Sequence, residues 1–338
     1  MNIFITGEKG LIAQNIVKEA KENFPQIEFA TGAVDYLNMH QAGEPCVYQN
    51  SIEQWEFFFR LNKVDVIIHN AAVVNTEVVG MNLTHATRTN DEGTYRICVA
   101  AKKCGIPVCY MGTTVIYDAF KYQDAMITES SDHGPHTLYG CQKLCAEHIV
   151  KSHADKWMII RPLFAYGGEG DMNSLIAKSI YGYLAGKKVE MRLNPSKYKD
   201  YMYVSDYANA VLTGIKKGLW NDEWNIAAET PMVTGNIIKT VEDVCNISLE
   251  DTIIWKPESD YTGHHRIDSS KFRNATGWKP KITLTEGIRM AYETIESAEG
   301  YNPLIHLEEA AKRNIDVGAF FNESRIARKT ISKIPEDI

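Results

Sequence analysis

The chain has 338 residues, of which 44% are hydrophobic and 23% charged. This is the composition of an ordinary globular protein and excludes a disordered or fibrous one. With 36 basic against 43 acidic residues the net charge is −7, which leaves no excess of cations for a nucleic-acid face. The longest apolar runs, 64–68 and 158–166, are far shorter than a membrane span. Seven cysteines without a CxxC pair read as free thiols of a reducing compartment, not as a disulfide framework or a zinc site. Residues 1–7 pass straight into a strand pattern without a signal-like stretch, so a cytoplasmic location is expected.

The first half alternates short β-rich runs with longer helical stretches. Asn2–Thr6 predicts a buried strand, and a glycine-rich turn and a helix to about Glu22 follow it. Ile27–Ala30 and Cys46–Gln49 predict the second and third strands, with a helix over Ser51–Asn62. Val64–Ile68, Val108–Met111 and Trp157–Arg161 continue the strands, with helices over Asn90–Cys104 and Tyr139–His153 between them. Apolar strands without alternation, separated by helices, imply a parallel sheet covered on both faces. The expected class is therefore α/β, a doubly wound parallel (Rossmann) sheet.

After Arg161-Pro162 the rhythm changes. Glycines cluster at 167–170, helix is expected over 173–186 and 234–245, and short strands over 224–227 and 253–257. A last helix is expected over 282–298. The division predicted is a dinucleotide-binding domain over 1–165 with a return segment near 200–228, and a smaller α/β substrate domain over 166–298. Residues 299–338 form an extension to which no motif gives a role.

The turn Thr6-Gly7-Glu8-Lys9-Gly10-Leu11-Ile12-Ala13 lies between a strand and a helix. Gly7 permits the tight turn, and Gly10 lets backbone approach a pyrophosphate. Ala13 allows close packing of helix on sheet, and the N–H groups at the helix start face the phosphate charge. The acid that would grip an adenosine ribose in NAD is missing from the end of the second strand, and Asp35 stands too far on. Lys9 could neutralise a 2′-phosphate or simply be solvated. The cofactor expected is thus NADP or NAD, with Lys9 tilting the reading to NADP.

Tyr139 and Lys143 are four apart on a predicted helix and share a face. A free phenol is too weak an acid to serve as a base at neutral pH, whereas a lysine one turn away and a cationic nicotinamide would favour the phenolate. Thr113, just past the fifth strand, would place a hydroxyl at the carboxyl edge of the sheet, where it can bond the oxygen whose proton Tyr139 takes. Cys141 and Cys145 bracket Lys143 and are expected to pack against the sheet. Among the histidines, His133, His136, His264 and His265 lack a third ligand at a sensible spacing, so no metal site is expected. Trp55–Phe59 reads as helix core.

Taken in order, TGEKGLIA (6–13), IIHNAA (67–72), NDEGT (90–94), GTTVIYD (112–118), YGCQK (139–143), RPLFAYG (161–167), KDYMYVSDYANA (199–210) and RIDSSKFRNATGWKP (266–280) carry a resemblance. Over residues 1–298 the chain resembles the extended short-chain dehydrogenases/reductases of the nucleotide-sugar epimerase/dehydratase type. The resemblance implies a catalytic triad of Thr113, Tyr139 and Lys143. It implies a cofactor lined by Thr6, Gly7, Lys9, Gly10, Leu11, Ile12, Asn70, Ala71 and Ala72, with Tyr139 and Lys143 at the nicotinamide ribose. A nucleoside-diphosphate sugar would meet Thr114, Asn173, Arg192, Lys199 and Arg266. Lys199 stands where the family commonly keeps a phosphate-binding arginine, and so lacks the bidentate fork. A homodimer through the helices at 90–104 and 139–153 is implied too.

The departures narrow the reaction. The 4,6-dehydratases of the family carry an Asp-Glu pair directly after the threonine, where this chain has Thr114-Val115. The glutamate of the sugar-acid decarboxylases and the cysteine of the epimerase-reductases are also missing near Val115. Oxidoreduction at one carbinol carbon, C4, remains. The expectation is an NAD(P)-dependent 4-ketosugar reductase. The alternatives are a 4-epimerase with tightly bound NAD and a non-catalytic cofactor-binding subunit. The last usually loses the tyrosine or the lysine, and this chain keeps both.

Overall fold

The computed structural model describes residues 1–30, 47–74, 79–80, 82–171, 173–260 and 262–297. Six strands make one sheet: β1 (Asn2–Thr6), β2 (Glu28–Phe29), β3 (Val66–His69), β4 (Val108–Met111), β5 (Trp157–Pro162) and β10 (Asp222–Ile226). They lie in the order β10-β5-β4-β3-β1-β2, and every neighbouring pair is parallel. The chain steps outward from β1 to β2 on one side and to β3 on the other. The order therefore reverses between β1 and β3, and a crevice opens there at the carboxyl ends of the strands.

Side-chain alternation explains why these strands read as unbroken apolar runs. Ile3, Ile5, Ile68, Cys109, Met111, Met158 and Ile160 point to one core. Phe4, Ile67, Val108, Tyr110 and Ile159 point to the other. The first face is covered by α1 (Leu11–Asn23) and by Val204–Lys217, a helix that the sequence reading did not mark. The second face carries α2 (Ile52–Leu61), α3 (Gly93–Cys104) and α4 (Leu138–His153). Ser51 starts α2 with a capping box to Gln54. Trp55, Phe58 and Phe59 are buried around Phe4, as a core helix requires, while Phe57 is exposed. A short helical turn (Leu83–Thr87) and a π turn (Arg88–Glu92) lead into α3.

The smaller lobe buries α5 (Leu175–Leu184), α7 (Thr234–Cys245) and α9 (Leu284–Glu296) against Tyr166, Tyr201 and Tyr203. Val204–Lys217 is α6 in this order, and Ser270–Thr276 is α8. Three short pairs of strands edge the lobe. β6 (Phe164–Tyr166) pairs with β9 (Tyr201–Tyr203), β7 (Val189–Met191) with β12 (Ile253–Trp255), and β8 (Tyr198–Lys199) with β11 (Met232–Val233). Within 200–228, α6 packs on α1, and β10 closes the sheet beside β5.

Two expectations need correction. Val47–Gln49 forms turns rather than a strand, because the Val47 carbonyl accepts the Trp55 indole N–H at 3.1 Å and so turns toward α2; Cys46 lies outside the described residues. Cys141 and Cys145 are exposed. The buried face of α4 is instead Gln142, Lys143, Ala146, Glu147 and Val150, one step round the helix. The whole extension at 299–338, and Asp35, also fall outside the described residues.

Candidate active site

The end of β1 and the end of β3 meet at the switch point. Thr6 Oγ1 accepts the backbone N–H groups of Asn70 (3.1 Å) and Ala71 (3.0 Å). With both lone pairs taken, its proton goes to His69 Nδ1 at 2.8 Å. The other ring nitrogen then donates to Thr94 Oγ1 at 2.9 Å, and Thr94 donates to the Asn90 carbonyl at 2.6 Å. The network thus assigns a neutral His69 protonated on Nε2. Burial pushes this imidazole down to about 3, first by desolvation and then by the Lys143 charge, so it stays neutral. Asn90 continues the chain by clasping both backbone groups of Val73 and donating to Gln142 on α4.

Against this frame the glycine loop has no room for side chains. Gly7 has φ +69°, and a Cβ there would stand 2.9 Å from Ala71 Cα. Gly10 N–H bonds Gly7 O at 2.9 Å, and no side chain caps the start of α1. The free N–H groups of that helix therefore face the crevice. Gly7, Glu8, Lys9 and Gly10 are all exposed there, and Asn70, Ala71 and Ala72 are half-buried on the opposite wall. A cradle that a Cβ would fill, beside an uncapped helix N-terminus, fits the pyrophosphate of a dinucleotide.

Further along the same edge, Thr113 leaves β4 and Thr114–Ile116 turns as a short 3-10 helix. Thr137 caps α4 by accepting the Gly140 N–H at 3.0 Å, which sets Tyr139 in the first turn and Lys143 one turn below. The Thr113 hydroxyl hydrogen-bonds the Tyr139 phenol. Burial raises the phenol above its ordinary value, and the Thr113 bond offsets only part of this. Lys143 is buried, and its ammonium donates to the Met111 carbonyl at 2.7 Å and to the Tyr110 hydroxyl at 3.2 Å. Desolvation brings it down to about 8, against the charges of Glu147 and Asp91. The phenol is therefore not lowered by Lys143 as the four-residue spacing suggested. A desolvated ammonium takes the nearest carbonyl, here the end of β4, and leaves Tyr139 with Thr113.

Beneath the triad, α4 is fixed to the sheet by Arg161, which is completely buried and grips Glu147 with Nε (3.0 Å) and a terminal nitrogen (2.7 Å). A third guanidinium nitrogen donates to Tyr117 Oη at 2.7 Å.

The residues expected to meet substrate separate into two groups. Asn173 and Arg192 are exposed, at the start of α5 and the end of β7. Arg266 is half-buried, its guanidinium stacked 3.8 Å from the centre of the Tyr198 ring. Thr114 is buried, with its hydroxyl 3.4 Å from the Pro162 carbonyl. Lys199 is also fully buried: its ammonium donates to Gly263 O at 2.6 Å and to Thr262, and pairs with Asp260 at 3.6 Å. The amine expected at a phosphate thus ties two loops together. Of the four histidines, His136 pairs with Asp118 at 2.9 Å, and His265 is buried and pushed down to about 3 by desolvation. Among the described residues no three His, Cys, Asp or Glu side chains are grouped to hold a metal ion, and no helix is long and apolar enough to cross a membrane.

A switch-point crevice with a glycine cradle on one side and a Thr-Tyr-Lys cluster on the other defines a dinucleotide-binding α/β enzyme of the short-chain dehydrogenase/reductase type. The chain belongs to the NAD dependent epimerase/dehydratase family, whose model matches residues 3–227. It is 23% identical to the dTDP-glucose 4,6-dehydratase of Escherichia coli, over 82% of this chain and 88% of the relative. Among solved structures, that of dTDP-glucose 4,6-dehydratase from Bacillus anthracis in complex with NAD superposes with a TM-score of 0.75 at 19% identity, covering 89% of this chain and 98% of the other. The UDP-glucose 4-epimerase of Thermotoga maritima with UDP-glucose does so with a TM-score of 0.72 at 22% identity, covering 88% and 99%.

Proposed function

We propose that the protein is an NAD(P)-dependent reductase of a 4-ketosugar linked to a nucleoside diphosphate. The observation that carries this reading is the Thr113–Tyr139 pair at the carboxyl edge of the sheet, with no carboxylate at Thr114 or Val115. Dehydration needs an acid and a base beside the carbinol, and those two positions offer neither. A half-buried Tyr139 whose phenol desolvation holds above its ordinary value is poised to give a proton to a ketone oxygen rather than to remove one. Thr113 donates a second hydrogen bond to that oxygen and stabilises the charge that develops there. Lys143 holds the ribose next to the reacting carbon and supplies positive charge. The dinucleotide, when bound, supplies the hydride chemistry. Gly7, Gly10 and the start of α1 hold its pyrophosphate, Asn70–Ala72 its adenosine side, and Lys9 favours a 2′-phosphate. Asn173, Arg192 and Arg266 are read as the contacts of the diphosphate sugar, and the outer faces of α3 and α4 as the contact of a homodimer.

A self-regenerating 4-epimerase is the second reading, favoured by the family match and by the same lack of dehydratase carboxylates. Mixing the enzyme with NADPH and a nucleoside-diphosphate 4-ketosugar distinguishes the two. Stoichiometric loss of reduced-nicotinamide absorbance supports the reductase. Oxidised NAD released on denaturing freshly purified protein, with no consumption of added NADPH, supports the epimerase.

A further inference from the structure

Lys143 sits in an unusual enclosure. It is 2% exposed, and among the described residues the Tyr110 hydroxyl is its one side-chain partner within hydrogen-bond distance, with the ammonium also 4.6 Å from the centre of the Tyr110 ring. Tyr110 is itself 1% exposed and comes from the middle of β4, packed 5.7 Å from the His69 ring. The π turn before α3 carries Asp91 and packs against α4. Its Oδ1 is buried with no hydrogen-bond partner, and the Cys145 thiol bonds its carboxylate.

A π turn shifts the side chains that follow it by one position relative to an α-helix, and such turns often serve functional sites. Here it sets an acid against the triad helix, with an oxygen left bare.

We propose that Tyr110 and Asp91 are positioning residues that act through Lys143, keeping its ammonium charged and in place inside a dry site so that it can hold the dinucleotide ribose. The proposal rests on the dinucleotide reading given above. An ammonium removed from water survives only with acceptors and counter-charge around it. The Met111 carbonyl and the Tyr110 hydroxyl supply the acceptors. Asp91 supplies negative charge from the π turn and Glu147 from α4, although Glu147 is shared with Arg161 on β5. The neighbouring groups bring no competing charge: His69 on β3 is neutral, desolvation raises the Tyr139 phenol and the Cys98 thiol, and partial desolvation together with the Asp91 charge raises the thiol of the exposed Cys145. Asp91 is itself pushed up to about 6 by desolvation, so its counter-charge is complete only above that pH.

The experiment is a titration of NADPH and NADH binding, read by nicotinamide fluorescence between pH 5 and pH 10. It uses the wild-type protein and the variants Tyr110→Phe, Asp91→Asn and Asp91→Glu. In the wild type, affinity should fall as the pH rises through the Lys143 transition near 8. Tyr110→Phe and Asp91→Asn should each move that midpoint down by about one pH unit, while Asp91→Glu should restore it. A merely structural role would lower affinity at every pH without moving the midpoint. Superimposable midpoints in all four proteins, each with a native circular dichroism spectrum, would overturn the proposal. Absence of dinucleotide binding by the wild type would instead overturn the functional reading beneath it.

Discussion

The Thr6 hydroxyl lies 2.8 Å from His69 Nδ1, and through this contact the tip of β1 and the tip of β3 are locked at the point where the sheet order reverses. The lock works only with a neutral ring, because a second ring proton on Nδ1 would face the Thr6 proton. His69, together with His265, has a folded-state value near 3 against about 6.5 in the unfolded chain. The unfolded state therefore binds more protons between these values. The stability these groups provide is complete above about pH 6.5 and is lost as the pH falls toward 3. At pH 5 each should cost about 2 kcal/mol. Urea unfolding at pH 7 and pH 5 measures the loss. It should shrink by about 2 kcal/mol in His69→Gln, and an unchanged pH dependence would contradict the assignment.

Gly7 is in the left-handed region and within 2.9 Å of Ala71 Cα at its missing Cβ. Gly7→Ala meets backbone that cannot yield, with a strain of about 1–3 kcal/mol. Dinucleotide affinity should fall by about tenfold or more, one decade for each 1.4 kcal/mol. Isothermal titration with NADH and NADPH provides the check.

Arg161 and Glu147 form a buried two-pronged pair that pins the triad helix to β5. Glu147→Leu strips the buried guanidinium of its two-pronged carboxylate, leaving it Glu223 at 3.8 Å and the Tyr117 hydroxyl, and should cost about 3 kcal/mol. Arg161→Met with Glu147→Leu should cost less than the single Glu147 change, since no buried guanidinium remains. Denaturant midpoints of the two variants test this, and a double variant weaker than the single would count against it.

Lys9 is exposed in the glycine loop with its charge available to a phosphate. Lys9→Ala should weaken NADPH several-fold and leave NADH unchanged, as loss of one exposed charge contact worth about 1 kcal/mol implies. Equal effects on both, measured as dissociation constants, would remove the basis for an NADP preference.

Much of this site was legible because its chemistry needs particular residues at particular steps of the chain. Gly7 and Gly10 could be read at the end of β1, and Thr113, Tyr139 and Lys143 at the ends of β4 and the start of α4. What escaped was set by tertiary contacts. Helix α6 was hidden inside a stretch read as a return segment, although Gly218 just after it, at φ +69°, is the usual stop signal. Lys199 looked like an anion contact because nothing local shows that Asp260, Thr262 and Gly263, some sixty residues on, enclose it. The Tyr110 and Asp91 contacts to Lys143 were equally invisible, since both depend on how a strand and a π turn meet a helix.

The most direct test of the central claim replaces the phenol oxygen of Tyr139. With NADPH and a nucleoside-diphosphate 4-ketosugar, Tyr139→Phe should lower turnover by about 10²–10⁴-fold while the NADPH dissociation constant stays within about twofold, a change of ~0.4 kcal/mol. Turnover equal to that of the wild type would contradict proton transfer by Tyr139 and, with it, the account of this site.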